Sequence, residues 1–239
     1  MTENYGKMSV SEMADDYNER GISYFNLKKY AEAIKEFTKA IKLISNEPDF
    51  YFNRGLAYYS MKMFDQSIKD YTKSIELDPE NADYYNALGA TYDDVGKTRE
   101  AVENISKAIS IENDIPDYYY NRGNAYWKAG EYTEALADFD KAISLNSSDQ
   151  IFLYRKFELL MKLEKFEDAS LLMDKAISLS PGNYQYYLDK SLALEQLGKI
   201  NEAITILRDA EELSQDISAT RERIKYLEGK LSSDKSEKM

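Results

Sequence analysis

The sequence has 239 residues, of which 43% are hydrophobic and 31% are charged, and its formal net charge is −12. It contains no cysteine and no histidine, which excludes disulfides, thiolate metal sites and Ser-His-Asp or Cys-His catalysis. So acidic a chain is not expected to bind nucleic acid, which requires a basic face. No stretch approaches the roughly 18 apolar residues of a membrane span, and no apolar leader follows the first methionine. We therefore expect a soluble, cytoplasmic protein.

A short N-terminal lead-in, residues 1–13, precedes the first periodic element. Within it, Ser9 and Glu12 have the spacing of a capping box. In that motif the side chain of each residue accepts a hydrogen bond from the backbone N–H of the other. The sequence therefore predicts that Ser9 caps the first helix.

From Ala14 onward the sequence repeats itself with a period of 34 residues, without insertion or deletion. Tyrosines, glycines and small residues all recur at this step; the glycines Gly21, Gly55 and Gly89 are an example. A fixed period of this length indicates a repeat array. The predicted repeats, numbered 1 to 6, are 14–47, 48–81, 82–115, 116–149, 150–183 and 184–217.

Each repeat divides into two helical stretches. In the first, an aromatic residue is followed four residues later by a small residue and three later by another aromatic one. In the second, an alanine, a large apolar residue and an alanine recur, as at Ala135, Phe139 and Ala142. Both spacings place these residues on one face of a helix. Because the connections are short and polar, the two helices are expected to be antiparallel neighbours.

This pattern resembles the tetratricopeptide repeat (TPR), a 34-residue helix–turn–helix with the signature W-x2-L-G-x2-Y, A-x3-F and A. The resemblance covers residues 14–217 and implies an all-α, right-handed superhelical α-solenoid. In five repeats a lysine or arginine, such as Arg54 or Arg122, replaces the leucine before the signature glycine. We expect its stem to pack and its charged head to reach water. In repeat 5, Phe157 stands at the glycine position, which predicts an irregular joint between two helices.

Two segments follow the repeats. Residues 218–231 predict a helix with apolar residues along one side: Ile217, Ile224, Leu227 and Leu231. We expect this helix to cap the last repeat, which otherwise has no neighbour to cover its apolar face. A coiled-coil or partner-binding helix is the alternative. Residues 232–239 are polar and are expected to be disordered.

In a stacked TPR array the first helices of successive repeats line a concave groove, and the resemblance implies which positions face it. These positions carry aromatic residues, acids, a few bases, and amides that can hold an extended peptide backbone. The candidate residues of this peptide-binding groove are Asp49, Phe52, Asn53, Tyr59, Asp83, Asn86, Asp93, Asp94, Asp117, Tyr120, Asn121, Asn124, Trp127, Tyr154 and Arg155.

The candidate residues also have structural interpretations. Asp49, Asp83 and Asp117 lie in the first turn of a helix, where acids are favoured by the helix dipole. Trp127 either packs between repeats 4 and 5 or anchors a ligand. Most tyrosines occupy signature positions, so their abundance is not evidence of binding.

The sequence predicts a protein–protein interaction adaptor or scaffold that binds a peptide segment of a partner. Repeats 2 to 4 carry a net charge of −9, which favours a basic segment with one or two large apolar residues. Alternatively, the acids only maintain solubility. The second class of function is a self-assembling TPR scaffold, and the C-terminal helix and tail of a neighbouring copy are one candidate for homo-association.

Several functions are not expected. No catalytic constellation is present, so we expect no enzyme, and no metal or cofactor site. Some TPR co-chaperones hold acidic chaperone tails with a carboxylate clamp of lysines, asparagines and an arginine in three consecutive repeats. No three repeats of this sequence supply that set, so we expect no heat-shock carboxylate clamp.

Overall fold

The computed structural model of the chain describes residues 8–213 and 218–236. These residues form thirteen α-helices and no β-strand, so the all-α class is confirmed. None of these helices is both long and apolar enough to cross a bilayer. In chain order they are α1 (Val10–Asn26), α2 (Tyr30–Leu43), α3 (Pro48–Ser60), α4 (Phe64–Leu77), α5 (Ala82–Asp94), α6 (Thr98–Ile111), α7 (Pro116–Ala129), α8 (Tyr132–Leu145), α9 (Gln150–Lys162), α10 (Phe166–Leu179), α11 (Tyr184–Gln196), α12 (Ile200–Glu211) and α13 (Ser218–Ser236).

The helices from α1 to α12 alternate between the two stretches of the repeat, called here first helices (odd numbers) and second helices (even numbers). Five first helices begin at Pro48, Ala82, Pro116, Gln150 and Tyr184. Proline suits the first turn of a helix, where its missing N–H has no intrahelical partner to lose. The side chains of Asn81, Asp149 and Asn183 cap the other three by accepting backbone hydrogen bonds. Local signals therefore place these helix starts.

The capping box at the start of α1 is confirmed. The Glu12 N–H donates to Ser9 Oγ at 3.2 Å, and the Ser9 N–H donates to Glu12 Oε2 at 2.6 Å. These hydrogen bonds stabilise the carboxylate and lower the pKa of Glu12. Helix α1 thus starts at Val10, inside the expected lead-in, and residues 1–7 lie outside the described part of the chain.

Two compact bodies make up the chain, and the boundary between them falls inside α8, between Asp138 and Phe139. The N-terminal body contains α1 to α7 and the start of α8, and the C-terminal body contains the end of α8 and α9 to α13. Within each body, successive helices pack against one another in chain order.

The signature glycine lets the two helices of a repeat approach closely. A Cβ atom added at Gly55 would lie 2.6 Å from Cε1 of Tyr71, and one added at Gly21 would lie 2.4 Å from Cε1 of Phe37. Phe37 and Tyr71 are each 1% exposed. The large residue of the second helix therefore occupies the space that a side chain on the first helix would need.

The arginines before the signature glycine correct the expectation that their charged heads reach water. Arg54 donates from Nε and Nη2 to the two carboxylate oxygens of Asp70 at 2.7 and 2.8 Å. Arg122 binds Asp138 in the same way at 2.8 and 2.8 Å. Both aspartates are buried, and Nη1 of Arg54 also donates to Thr38 of the preceding second helix. An acid on the second helix of the same repeat therefore pairs each arginine inside the protein.

Repeat 5 is irregular, as its sequence predicts. Phe157 is buried, and α9 packs less closely against α10 than α1, α3 and α5 pack against their second helices. A ring at the glycine position needs space that a closely packed pair does not have, so the two helices separate.

Helix α13 packs on the last repeat through the apolar side that the sequence predicts. Ile224 and Leu227 are buried in a cluster with residues of α11 and α12, and Leu231 packs against its edge; Ile217 lies outside the described residues. The expected end at residue 231 is wrong, because the helix continues to Ser236. Residues 232–236 of the expected tail belong to this helix, while 237–239 lie outside the described residues. Once a helix is nucleated, each added residue gains a backbone hydrogen bond at little entropic cost.

Candidate peptide-binding surface

The candidate residues all lie on first helices, in two groups. Those on α3, α5 and α7 belong to the N-terminal body, and they form what we call the N-terminal surface. Tyr154 and Arg155 lie on α9, in the C-terminal body. The structure therefore brings thirteen of the fifteen residues to neighbouring helices of one body.

Amide side chains link neighbouring first helices of the N-terminal surface. Asn53 Nδ2 donates to Asn18 Oδ1 at 3.0 Å, and Asn121 Nδ2 donates to Asn86 Oδ1 at 3.0 Å. In both pairs the two residues are 35 positions apart. Because an amide has two donor hydrogens and an acceptor oxygen with two lone pairs, each side chain can still bond a ligand.

Aspartates and tyrosines form a second set of links with the same separation. Tyr84 Oη donates to Asp49 Oδ1 at 2.5 Å, and Tyr118 Oη donates to Asp83 Oδ1 at 2.6 Å. Burial and the neighbouring carboxylate raise the pKa of both tyrosines. Sequence reasoning missed this role, although an aspartate followed 35 residues later by a tyrosine is visible in the sequence.

A third set of links, also between residues 35 positions apart on neighbouring first helices, consists of two different contacts. Tyr59 Oη donates to Asp94 Oδ2 at 2.5 Å, whereas Lys128 Nζ forms an ion pair with Asp93 Oδ2 at 2.7 Å. The other oxygen of Asp93 is buried and has no hydrogen-bond partner among the described residues. The charge of Asp93 is thus compensated by a lysine, while the charge of Asp94 is not changed by a neutral hydroxyl.

Aromatic rings of the N-terminal surface are packed more than the sequence suggests. The ring of Phe52 lies 4.9 Å from that of Tyr84 and 5.7 Å from that of Tyr71, between centroids. Tyr59 makes an edge contact with Phe64 at 5.7 Å. The other candidates are accessible to different degrees: Tyr120, Asn124 and Trp127 are half-buried and Asp117 is exposed.

In the C-terminal body, Tyr154 is 48% exposed on α9. Arg155 Nη1 donates to Glu158 Oε2 at 3.1 Å, one helical turn away. The charge of Glu158 raises the pKa of Tyr154. This part of α9 therefore presents an aromatic ring beside a local ion pair.

The N-terminal surface combines three kinds of side chain that can contact a ligand. It offers carboxylates, amides and ring faces at a regular spacing along adjacent helices. No group of three or more acidic residues in the described chain could hold a metal ion.

Comparisons with known proteins agree with the repeat architecture. Family models described as tetratricopeptide repeat match residues 48–81 and 116–149, residues 70–103, and residues 154–217. A model described as TPR repeat matches residues 21–62 and 94–130. None of the curated proteins compared with the chain matches it.

Solved structures of the same fold include MamA, which is 27% identical, with a TM-score of 0.61 over 70% of this chain and 91% of that chain. YrrB, described as a TPR protein with an unusual peptide-binding site, is 21% identical, with a TM-score of 0.61 over 79% of this chain and 97% of that chain. The C-terminal part of a TPR repeat-containing protein from Cytophaga hutchinsonii is 20% identical, with a TM-score of 0.71 over 82% of this chain and 78% of that chain. From its helix pairs, its 34-residue period and these matches, the chain belongs to the tetratricopeptide repeat family.

Proposed function

We propose that the chain is an interaction adaptor, without catalytic activity of its own, that binds a basic and partly apolar segment of a partner protein on the N-terminal surface. TPR repeats are protein-interaction modules, and this supports the general role. The observation that supports the ligand class is the row of carboxylates and amides that recurs on α3, α5 and α7.

The contacts with tyrosine do not neutralise the carboxylates by ion pairing. Burial and the neighbouring carboxylate raise the pKa of Tyr84 and Tyr118, so the phenol of each keeps its proton and donates a hydrogen bond. A row of like charges attracts a cationic ligand and increases its rate of association. Asp93 adds nothing to this attraction, because Lys128 compensates it at 2.7 Å.

Amides and rings supply the contacts that charge alone does not. The unused hydrogen-bonding capacity of the asparagine pairs suits the backbone of an extended peptide. The half-buried rings of Tyr120 and Trp127 suit an apolar side chain or a cationic one. YrrB, with its described peptide-binding site, has the same fold, which supports peptide binding as a use of this architecture.

A titration with a synthetic peptide tests the proposal. The probe is a short fluorescein-labelled peptide with Lys-Leu-Lys-Phe-Lys at its centre, measured by anisotropy at low and high salt. The test variant combines Asp49→Asn, Asp83→Asn and Asp94→Asn. Asparagine removes the charge and keeps an oxygen that accepts the tyrosine hydrogen bond. We expect the variant to bind the probe more weakly, with a flatter dependence on salt.

The matched control removes hydrogen bonds and keeps the charges. The double variant Tyr84→Phe with Tyr118→Phe keeps both carboxylates, so its affinity for the lysine-rich probe is expected to stay close to that of the wild type. Equal affinity of the triple asparagine variant and the wild type would contradict the proposal and leave the acids a role in solubility only.

A further inference from the structure

Helix α13 continues the register of the first helices. In the N-terminal body, Tyr59 contacts Asp94 and Asp93 contacts Lys128, each pair 35 residues apart. In the C-terminal body, Lys230 Nζ donates to Glu195 Oε1 at 3.1 Å with the same separation and at the same two helix positions. Relative to α11, α13 therefore stands in the place of a seventh first helix.

The side of α13 that would face a second helix is polar. Arg221, Lys225 and Glu228 occupy the positions that face the second helix in the repeats, and all three are exposed. Lys225 stands at the position of the signature glycine. Among the described residues, α13 thus resembles a first helix in which the side that would contact a second helix is polar and exposed.

A hollow of about 270 Å³ lies between α11 and α13. We call it the α11–α13 pocket. An apolar cavity of about 150 Å³ is large enough for benzene, so this volume admits one large aliphatic or aromatic side chain. Its walls are mainly apolar, and Leu192 is 38% exposed there. The lining residues are Gln185, Leu188, Ser191, Leu192, Ala219 and Arg223.

Arg223 gives the rim of this pocket its charge. Its Nη2 donates to the buried carboxylate of Glu195, and Lys230 donates to the other oxygen of the same carboxylate. The guanidinium of Arg223 also lies over the ring of Tyr226, 5.4 Å from its centroid. Because Arg223 and Lys230 share the one carboxylate of Glu195, these three groups leave a net positive charge beside the pocket, which favours an anionic ligand.

Two acidic residues of the described chain lie near Arg223 in the sequence or on the neighbouring helix without pairing with it. Glu222, the residue before Arg223, does not line the pocket and points about 100° away around the helix. Asp189 is buried and accepts a hydrogen bond from Gln185 at 2.9 Å. A ligand in the α11–α13 pocket would therefore contact an apolar wall and have Arg223 beside it.

We propose that the α11–α13 pocket binds one large apolar side chain from a partner segment that carries a carboxylate next to it. This site goes beyond the proposed function, since it lies in the C-terminal body and takes a ligand of the opposite charge. Either site can fail its test without affecting the other.

Three short fluorescein-labelled peptides test the pocket by anisotropy with the full-length protein. The first has Asp-Leu-Phe-Asp at its centre, the second replaces the acids with lysine, and the third replaces the leucine and phenylalanine with alanine. The proposal expects the first peptide to bind better than the third. It also expects pocket variants to weaken binding of the first peptide only, because the lysine peptide suits the N-terminal surface. In the variant Ala219→Met, the added chain fills the exposed mouth of the pocket without changing charge, and affinity is expected to fall about tenfold.

The control is Ala219→Ser, a small residue at the same position, which is expected to bind as the wild type does. Arg223→Gln is expected to weaken binding of the acidic peptide and to leave the lysine peptide unchanged. If Ala219→Met melts at a lower temperature, Leu192→Gln removes an exposed apolar wall instead and is expected to give a similar loss. Equal binding of the first and third peptides would overturn the proposal. So would unchanged binding of the acidic peptide by Arg223→Gln, or equal binding of it by both Ala219 variants and Leu192→Gln.

Discussion

Arg54 and Arg122 stand where the TPR signature has leucine, and each forms a bidentate ion pair with a buried aspartate. Repeat 3 has the neutral counterpart, because Leu88 and Asn104 occupy the positions of Arg54 and Asp70 one period later. The protein therefore contains a charged and a neutral form of the same contact. A buried ion pair is strongly coupled, since removing one partner leaves the other charge uncompensated.

Replacing Arg54 tests this coupling. The variant Arg54→Leu leaves the carboxylate of Asp70 buried without its partner, so the free energy of unfolding is expected to fall by about 3–5 kcal/mol. The double variant Arg54→Leu with Asp70→Asn reproduces the pair found in repeat 3 and is expected to recover most of the loss. Urea denaturation of the wild type and both variants measures this, and a double variant as unstable as the single one would contradict it.

Close approach at the signature glycine leads to a second prediction. Because a Cβ at Gly55 would lie 2.6 Å from Tyr71, Gly55→Ala is expected to reduce the free energy of unfolding by about 1–3 kcal/mol. Gly229 of α13 is the control, since an added Cβ there meets nothing within 4 Å. Alanine at that position favours the helix by about 0.5–1 kcal/mol. Chemical denaturation should therefore move the two variants in opposite directions.

Asp189 leads to a prediction about pH. Burial raises the pKa of its carboxyl, and the charge of Glu158 adds to that increase. The folded protein thus holds this proton to a higher pH than the unfolded chain does, so the contribution of Asp189 to stability falls as the pH rises through the folded pKa. Asp189→Asn keeps an acceptor for Gln185 and is expected to raise the free energy of unfolding at neutral pH.

The sign of that effect is checked by repeating the urea denaturation in acid. Below the ordinary aspartate pKa of about 3.9, both the folded and the unfolded wild type are protonated at this position, and the advantage of the asparagine variant should shrink. A stabilisation that stays constant from neutral pH into acid would show that the pKa of Asp189 is not the cause.

At the scale of the helix pair, every described turn between a first and a second helix needs one residue in the left-handed conformation. Glycine occupies it at Gly96, Gly130 and Gly198, where φ is 77°, 82° and 72°. The same position is held by Lys28, Lys62 and Glu164, with φ of 59°, 59° and 57°. A side chain with a Cβ is strained there, whereas glycine is not. The turn geometry is therefore kept even in repeats that lack the favourable residue.

Exchanging the residue at this turn position should change stability in a predictable direction. Lys62→Gly relieves the left-handed strain and is expected to raise the free energy of unfolding by about 0.5–1 kcal/mol. Gly96→Ala introduces the strain in open space, where an added Cβ meets nothing within 4 Å, and should lower it by about 1 kcal/mol. Thermal melts of the two variants check the pair, and a stabilised Gly96→Ala would contradict this account.

At the scale of the whole molecule, α13 protects an apolar surface. Ile224 and Leu227 are buried against Leu194, Ile200 and Leu207 of the last repeat. Removing the helix would expose this cluster, and exposed apolar patches of that kind promote association.

Deletion of residues 218–239 is therefore expected to lower the melting temperature and to cause concentration-dependent association. Calorimetry and light scattering measure the two effects. Lys225→Gln, which changes the exposed side of α13, is the control and should behave like the wild type. A truncated protein that melts like the full chain and stays monomeric would favour the alternative of a partner-binding helix.

Periodicity and local signals were sufficient to predict the family and much of the fold. The 34-residue step identified the repeats, while Pro48, Pro116 and the capping box at Ser9 marked helix starts. These features depend on residues close together in the chain, whose hydrogen bonds and helical spacing are visible without a tertiary structure. The end of α13 was less visible, since no proline or glycine stops that helix.

The contacts between helices of the N-terminal surface could not be predicted from the sequence. Helical spacing places Asp49 and Asn53 on one face of α3. It did not show that Tyr84 bonds Asp49 or that Asn53 bonds Asn18, because these contacts join residues 35 positions apart. Their partners depend on how neighbouring helices are offset, which is decided by packing at the signature glycine and the residues around it.

The sequence by itself therefore determined the composition, the repeat, the family and the face of each helix. Only the tertiary structure decided which charges are compensated, as for Asp93 by Lys128 and Asp70 by Arg54, and it alone created the pocket between α11 and α13. The physical reason is the separation along the chain over which each interaction acts. Helix formation and amphipathic spacing act over a few residues, whereas ion pairs and pockets arise where distant segments meet, and small shifts between packed helices select among many possible partners.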